Sequence, residues 1–108
     1  MLMVRAIIRP EKEEEVLSAL LETGYSSVTK WDVYGRGKQK GIQLGEVFYD
    51  ELPKVMILMI IHDADKDEVR NIIVNHARTG EEGNSGDGRI FISPVDAAYT
   101  ISSQTEGL

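Results

Sequence analysis

The chain has 108 residues, of which 42% are hydrophobic and 28% charged, with a formal net charge of −6 and no cysteine. This length supports one domain with a single modest core. The acid excess, eight Lys/Arg against nine Asp/Glu over residues 1–60 and four against nine over 61–108, disfavours a nucleic-acid partner, whose backbone needs neutralising cations. No apolar run approaches the roughly 20 residues that span a bilayer. Arg5 and Arg9 interrupt the apolar N-terminus and argue against a signal peptide. The expectation is a cytoplasmic protein with no membrane insertion. Without cysteine there is neither a disulfide nor a thiolate metal site.

Residues 1–9 alternate as a strand, with Leu2, Val4, Ala6 and Ile8 on one face and Met3, Arg5, Ile7 and Arg9 on the other. Pro10 ends it and opens a helix. Glu13, Glu14 and Glu15 suit the positive end of that helix's dipole. Val16, Leu17, Leu20 and Leu21 form its buried stripe, and Gly24 stops it. A second strand is expected over 28–34, carrying Trp31. From Gly35 to about Leu52 glycine and charge replace periodicity, as in a long binding or mobile loop, and Pro53 closes it. Val47-Phe48-Tyr49 suggests a short extended patch or a contact surface within that loop.

Residues 55–61 are continuously apolar and rich in β-branched side chains, which marks a central strand. Asp65 is the expected N-cap of a second helix, with Glu68 completing a capping box. Val69, Ile72, Ile73 and Ala77 line its inner face. A strand is expected over 89–95, bent or ended at Pro94. A short last strand over 98–103 and a frayed tail over 104–108 follow.

The order β-α-β-β-α-β predicts an α+β, ferredoxin-like domain spanning 1–108, with an antiparallel sheet and both helices on one face. The 55–61 strand is apolar on both faces, and helices cover only one. Leaving the other bare would expose a large apolar patch. Subunits packing sheet against sheet in a closed ring would cover it and leave clefts between neighbours.

Two glycine-rich segments carry the functional signal. Arg78 to Arg89 holds four glycines at a helix-to-strand junction, where backbone N–H groups of Gly86, Asp87 and Gly88 form an anion nest with Arg89 at its rim. The junction runs opposite to a Walker or dinucleotide loop. The same composition also suits a glycine-rich turn with no ligand. Gly35 to Gly41 concentrates Arg36, Lys38 and Lys40 around Gln39; a solvated basic loop is the plainer alternative. Lys54 starts the apolar strand as a point charge suited to phosphate, or snorkels there. His62 and His76 have no cysteine or HExxH partner, and Asp63, Asp65 and Asp67 lack the glycine and terminal glutamate of a calcium loop.

Ile7-Ile8-Arg9-Pro10, Gly35 to Gly41, Leu52-Pro53-Lys54, Ala77-Arg78-Thr79-Gly80 and Gly86 to Ile92 together resemble the PII signal-transduction family. Asp32-Val33-Tyr34 and Gly45 to Lys54 are similar to its nitrogenase-regulating, nif-associated branch. The resemblance implies a non-enzymatic trimer of ferredoxin-like subunits that binds ATP or ADP in three inter-subunit clefts. It further implies that 2-oxoglutarate, bound with Mg-ATP, resets the loop at 37–52 and its grip on a nitrogenase component. Ile7 and Thr29 would lie by the adenine, and Gly35, Gly37, Lys38 and Gln39 would border the nucleotide. Lys54 would reach phosphate or 2-oxoglutarate, Gly86, Asp87, Gly88 and Arg89 would grip phosphates, and Gln39 would bind Mg.

Two departures stand against that pattern. The family's two phosphate-binding arginines align with Thr100 and Ser102, and no Lys or Arg follows Arg89. Each lost charge-assisted contact costs roughly 1.5–3 kcal/mol. The glycine loop over 79–89 is also three residues longer than the family form and adds Glu81 and Glu82. Both changes predict weakened nucleotide binding or altered ligand preference. A mixed oligomer in which a PII-like paralogue supplies the missing groups is a second assembly consistent with these gaps, and a structural paralogue without nucleotide response is the alternative function. The loop also lacks the tyrosine setting used for uridylylation in enteric-type relatives.

Overall fold

The structure is a computed structural model that describes residues 1–36 and 51–108. Strand β1 (Leu2–Ile8) leads through a 3-10 turn at Pro10–Lys12 into helix α1 (Glu13–Glu22). Strands β2 (Thr29–Gly35) and β3 (Leu52–Ile61) follow, then helix α2 (Lys66–Ala77) and strand β4 (Gly88–Pro94). The four strands form one sheet in the order β2-β3-β1-β4, antiparallel at every pairing. This is the βαββαβ order and sheet of a ferredoxin-like fold, as the hydrophobic pattern predicts.

The helix ends follow from local chemistry at one terminus and from tertiary contacts at the other. Gly24 takes φ +104 after α1. Its N–H donates to Leu21 O at 3.0 Å and the Tyr25 N–H to Leu20 O at 2.9 Å, the paired bonds that close a helix over a left-handed residue. The expected capping box at α2 does not form. Asp65 ends a 3-10 turn over Asp63–Asp65 with φ −90 and ψ −1, not the extended backbone of an N-cap, and makes no side-chain cap bond. Glu68 is engaged elsewhere, where Tyr25 Oη donates to Glu68 Oε1 at 2.6 Å. His76 and Glu15 tie the helices together at 2.9 Å.

Strand β3 begins earlier than its apolar run suggests. Leu52 and Pro53 pair with Gly35 and Tyr34 of β2, whereas the β1 ladder ends at Ile8 opposite Val55. Residues 52–54 therefore have a strand neighbour on one side only, where a proline without an N–H is tolerated. Pro53 thus lies inside the strand and does not close a loop.

One sheet face packs against the helices. Val4, Ala6 and Ile8 of β1 and Val55, Ile57, Met59 and Ile61 of β3 are buried with Val16 and Leu20 of α1 and Val69, Ile73 and Ala77 of α2. Burying a Val, Leu or Ile side chain stabilises by about 1.5–3 kcal/mol. The opposite face has no covering element among the described residues. Register places Trp31, Met56, Ile7 and Arg89 in one row across it, and Thr29, Leu58, Arg5 and Phe91 in the next. Trp31 is 44% and Phe91 46% exposed.

The last segment differs from the expected single strand and frayed tail. Two-residue strands β5 (Tyr99–Thr100) and β6 (Thr105–Glu106) pair in a small hairpin. Gln104 turns it at φ +58, and Tyr99 Oη donates to Glu106 Oε2 at 2.8 Å. Among the described residues no helix is long and apolar enough to cross a membrane.

Candidate functional site

The glycine loop is built around one carboxylate. Asp87 Oδ1 accepts from Thr79 Oγ1 at 2.6 Å and from Arg9 Nε at 3.0 Å, and Oδ2 accepts from the N–H groups of Asn84 at 2.8 Å and Thr79 at 3.0 Å. Asn84 Nδ2 closes the ring by donating to Thr79 Oγ1 at 2.8 Å and Thr79 O at 3.1 Å. Burial works to raise the Asp87 pKa, but the bonds from Thr79, Asn84 and Arg9 outweigh it and hold the carboxyl well below the usual carboxylate range. The Asp87 N–H is also committed, to Asn84 O at 3.1 Å. Asp87 therefore organises the loop from within, and the nest expected over Gly86–Gly88 has one N–H fewer to offer.

The loop is docked on the end of the sheet by backbone proximity. Gly88 opposes Ile8 across the β1–β4 ladder. At φ +122, a Cβ on Gly88 would lie 1.8 Å from Ile7 O. Only glycine permits both that dihedral and that approach.

Lys54 and Arg9 bring two positive charges to this point. Lys54 Nζ donates to Gly86 O at 2.5 Å, and Arg9 Nη2 to Ser85 O at 3.0 Å. Burial lowers the Lys54 pKa, and the nearby Arg9 guanidinium lowers it further, against the opposing pull of Glu11 and Asp87. Gly35 lies alongside, since a Cβ there would sit 3.4 Å from Lys54 Cγ. Ammonium and guanidinium are both held by carbonyls next to a glycine turn, a donor set suited to an anion.

Of the sequence-predicted residues, Gly35, Lys54, Gly86, Asp87 and Gly88 gather at this end of the sheet. Ile7 and Arg89 pair with each other on the uncovered face. Thr29 does not join them within the chain: it lies on the edge strand β2 opposite Leu58, a row away from Ile7 and beyond β3. Gly37, Lys38 and Gln39 lie outside the described residues, as does Val47-Phe48-Tyr49. Thr100 pairs with Thr105 in the terminal hairpin, and Ser102 lies in its turn.

Sequence reasoning did not single out Arg9, Thr79 or Asn84 as site-builders. The antiparallel register carries the missing signal for Arg9. Once Ile8 opposes Gly88, the residue after Ile8 must stand beside the residue before Gly88. Glu81 and Glu82 are exposed, on the stretch between the glycines at 80 and 83.

The description "Nitrogen regulatory protein P-II" belongs to the family model that matches residues 1–105. The "nifHD2 region GlnB-like protein 1" of Methanosarcina barkeri is 56% identical over the full length of both chains. The "nifHD region GlnB-like protein 1" of Methanothermobacter marburgensis is 54% identical, also over the full length of both. A "Nitrogen regulatory protein P-II 2" from Methanothermobacter thermautotrophicus is 43% identical over 94% of this chain and 90% of its own.

Proposed function

We propose that this chain, which belongs to the nitrogen regulatory protein P-II family, senses adenine nucleotide in clefts between subunits and regulates nitrogenase through the loop at 37–52. Membership makes it a signalling protein of nitrogen metabolism with a regulatory, non-catalytic role. The sensing role is carried by one observation: Lys54 and Arg9 converge on the glycine loop, each held there by a backbone carbonyl.

In this reading copies of the chain cover the apolar sheet face as a trimer, or as a mixed oligomer with a PII-like paralogue. Phosphates of ATP or ADP displace Gly86 O from the Lys54 ammonium and add the guanidinium of Arg89. Ile7, Gly35, Gly86 and Gly88 border the nucleotide, Asp87 holds the loop in shape, and Thr29 enters from a neighbouring subunit. 2-Oxoglutarate and Mg2+ act with the nucleotide. Gly37, Lys38 and the proposed Mg ligand Gln39 lie outside the described residues. A ligand that favours one arrangement of the 37–52 loop shifts the loop's population and hence its hold on the target. The nif-region names of the relatives support nitrogenase as that target.

A structural paralogue with weakened or lost nucleotide response is favoured by a separate observation, the absence of any Lys or Arg after Arg89. Equilibrium binding of ATP and ADP to the purified oligomer, with and without Mg2+ and 2-oxoglutarate, separates the two readings. Saturable binding at one site per chain supports the sensor. No binding at millimolar nucleotide leaves the structural role.

A further inference from the structure

An open cleft of about 370 Å3 lies between the C-terminal half of α2 and the edge strand β4. Its walls include Ile73, Val74 and Ala77 of α2 and Ile90 of β4. Ile90 pairs with Ala6, a buried residue of the helix-covered face. The cleft therefore opens on the helix side of the sheet, whereas the row containing Ile7 occupies the other side. Val74 is 41% exposed at the cleft although its neighbours Ile73 and Ala77 are buried, so apolar surface is left open at the mouth.

The charge around this cleft is one-sided. Arg70, Arg78 and Arg89 line it, the last from a register position opposite Ile7, and Asp87 is the single carboxylate among the lining residues. Asp87 is already saturated by Thr79, Asn84 and Arg9. Arg70 shares its charge with Asp67 at 3.3 Å on the exposed helix surface. The Arg78 guanidinium makes no hydrogen bond or ion pair among the described residues; it lies against Gly83, where a Cβ would come within 2.9 Å of Nε. An apolar trough with an uncompensated guanidinium at its rim selects a ligand with an apolar body and one negative end. The volume is at the small end of ligand pockets, which excludes a bulky occupant.

We propose that this cleft binds a small amphiphilic anion, a carboxylate on a short alkyl or aromatic body, with the apolar part between α2 and β4 and the carboxylate on Arg78. The cleft shares Asp87, Gly88 and Arg89 with the proposed nucleotide site but opens on the helix side of the sheet, and the inference does not rest on nucleotide binding. Because Asp87 and Gly88 also line the cleft, its occupant touches the loop that presents Gly86 O to Lys54.

The test is calorimetric titration of the full chain with sodium octanoate, with octylammonium chloride as the charge-reversed control. The expected result is saturable octanoate binding at one site per chain, at least tenfold tighter than octylammonium. Arg78→Gln should weaken octanoate at least tenfold, and Val74→Trp, which fills the mouth from an exposed position, should abolish saturable binding with an unchanged far-UV spectrum. Equal binding of the two probes, no octanoate binding at millimolar concentration, or unaltered binding by Val74→Trp would each overturn the proposal. Loss of oligomer size in Val74→Trp would also overturn it, because a second copy of the chain would then be the occupant.

Discussion

Arg9 Nε and Asp87 Oδ1 lie 3.0 Å apart across 78 positions of sequence, with both side chains largely shielded from solvent. This contact joins the end of β1 to the glycine loop and sets where the Gly86 carbonyl faces Lys54. The first two predictions concern this pair.

Replacing Asp87 by Asn keeps the shape but removes the charge that Arg9, Thr79 and the Asn84 N–H all address. Hydrogen bonds to a charged group are worth about 1.5–3 kcal/mol. Asp87→Asn should therefore destabilise the protein by about 2 kcal/mol in urea unfolding, and Asp87→Ala by more. A change below about 0.5 kcal/mol would remove Asp87 from the role of loop organiser.

The same carboxylate gives a pH signature. Its folded pKa lies below the ordinary value, so its contribution is complete above the unfolded pKa of about 3.9. That contribution is lost as pH falls from there through the depressed folded value. The melting temperatures of wild type and Asp87→Asn should differ most above pH 5 and converge as the pH approaches 2. A gap that stays constant with pH would contradict this.

Gly88→Ala should be among the most disruptive single-atom additions to the chain. The new Cβ would meet the Ile7 carbonyl oxygen at 1.8 Å, a backbone clash that no side-chain rotation relieves. A loss of more than about 4 kcal/mol is expected, at the exceptional end for point mutants. Gly107→Ala supplies the control. It shares a positive φ, +107, but has nothing within 4 Å, and should cost only about 1–2 kcal/mol of backbone strain.

Lys54→Met leaves a side chain that can lie along the same stem but removes the ammonium. Under the sensor reading, nucleotide affinity should fall about 10- to 100-fold, the equivalent of one charge-assisted bond. Stability should change by less than about 1 kcal/mol, because the present partner is a single partly exposed carbonyl. Unchanged affinity in a competent binder would remove Lys54 from the phosphate site.

Leu58 faces away from the helices and pairs with Thr29 and Arg5 on the bare sheet face. Leu58→Asp should leave the monomer folded, by circular dichroism, while light scattering reports a single-chain mass. A folded variant that retains wild-type mass would show that copies do not meet through this face.

Legibility in the sequence tracked how local each determinant is. Gly24 could be read as a helix stop because its closing bonds reach back only to Leu20 and Leu21. The two-faced apolar run 55–61 marked the central strand and its exposed side for the same reason. Asp65 and Glu68 gave the right spacing for a capping box, but Tyr25, 43 positions away, takes the Glu68 carboxylate. Pro53 reads as a loop end until the register shows that β1 stops at the level of Val55. Within the site, the cations and glycines were visible as residue types. The hub was not, because the Arg9 donor to Asp87 comes from 78 positions away, and the Thr79 and Asn84 donors converge on the carboxylate only once the loop has folded.

The glycine loop is secured at Thr79, where α2 gives way, and again where Gly88 abuts Ile7. Its two feet are thus fixed to the scaffold, while the crest around Glu81 and Glu82 bears none of the bonds that hold the arch. Insertions or deletions at the crest would leave the Gly86 carbonyl over Lys54. Length variation among related chains should accordingly concentrate at residues 80–83, with the footings keeping their spacing to the sheet.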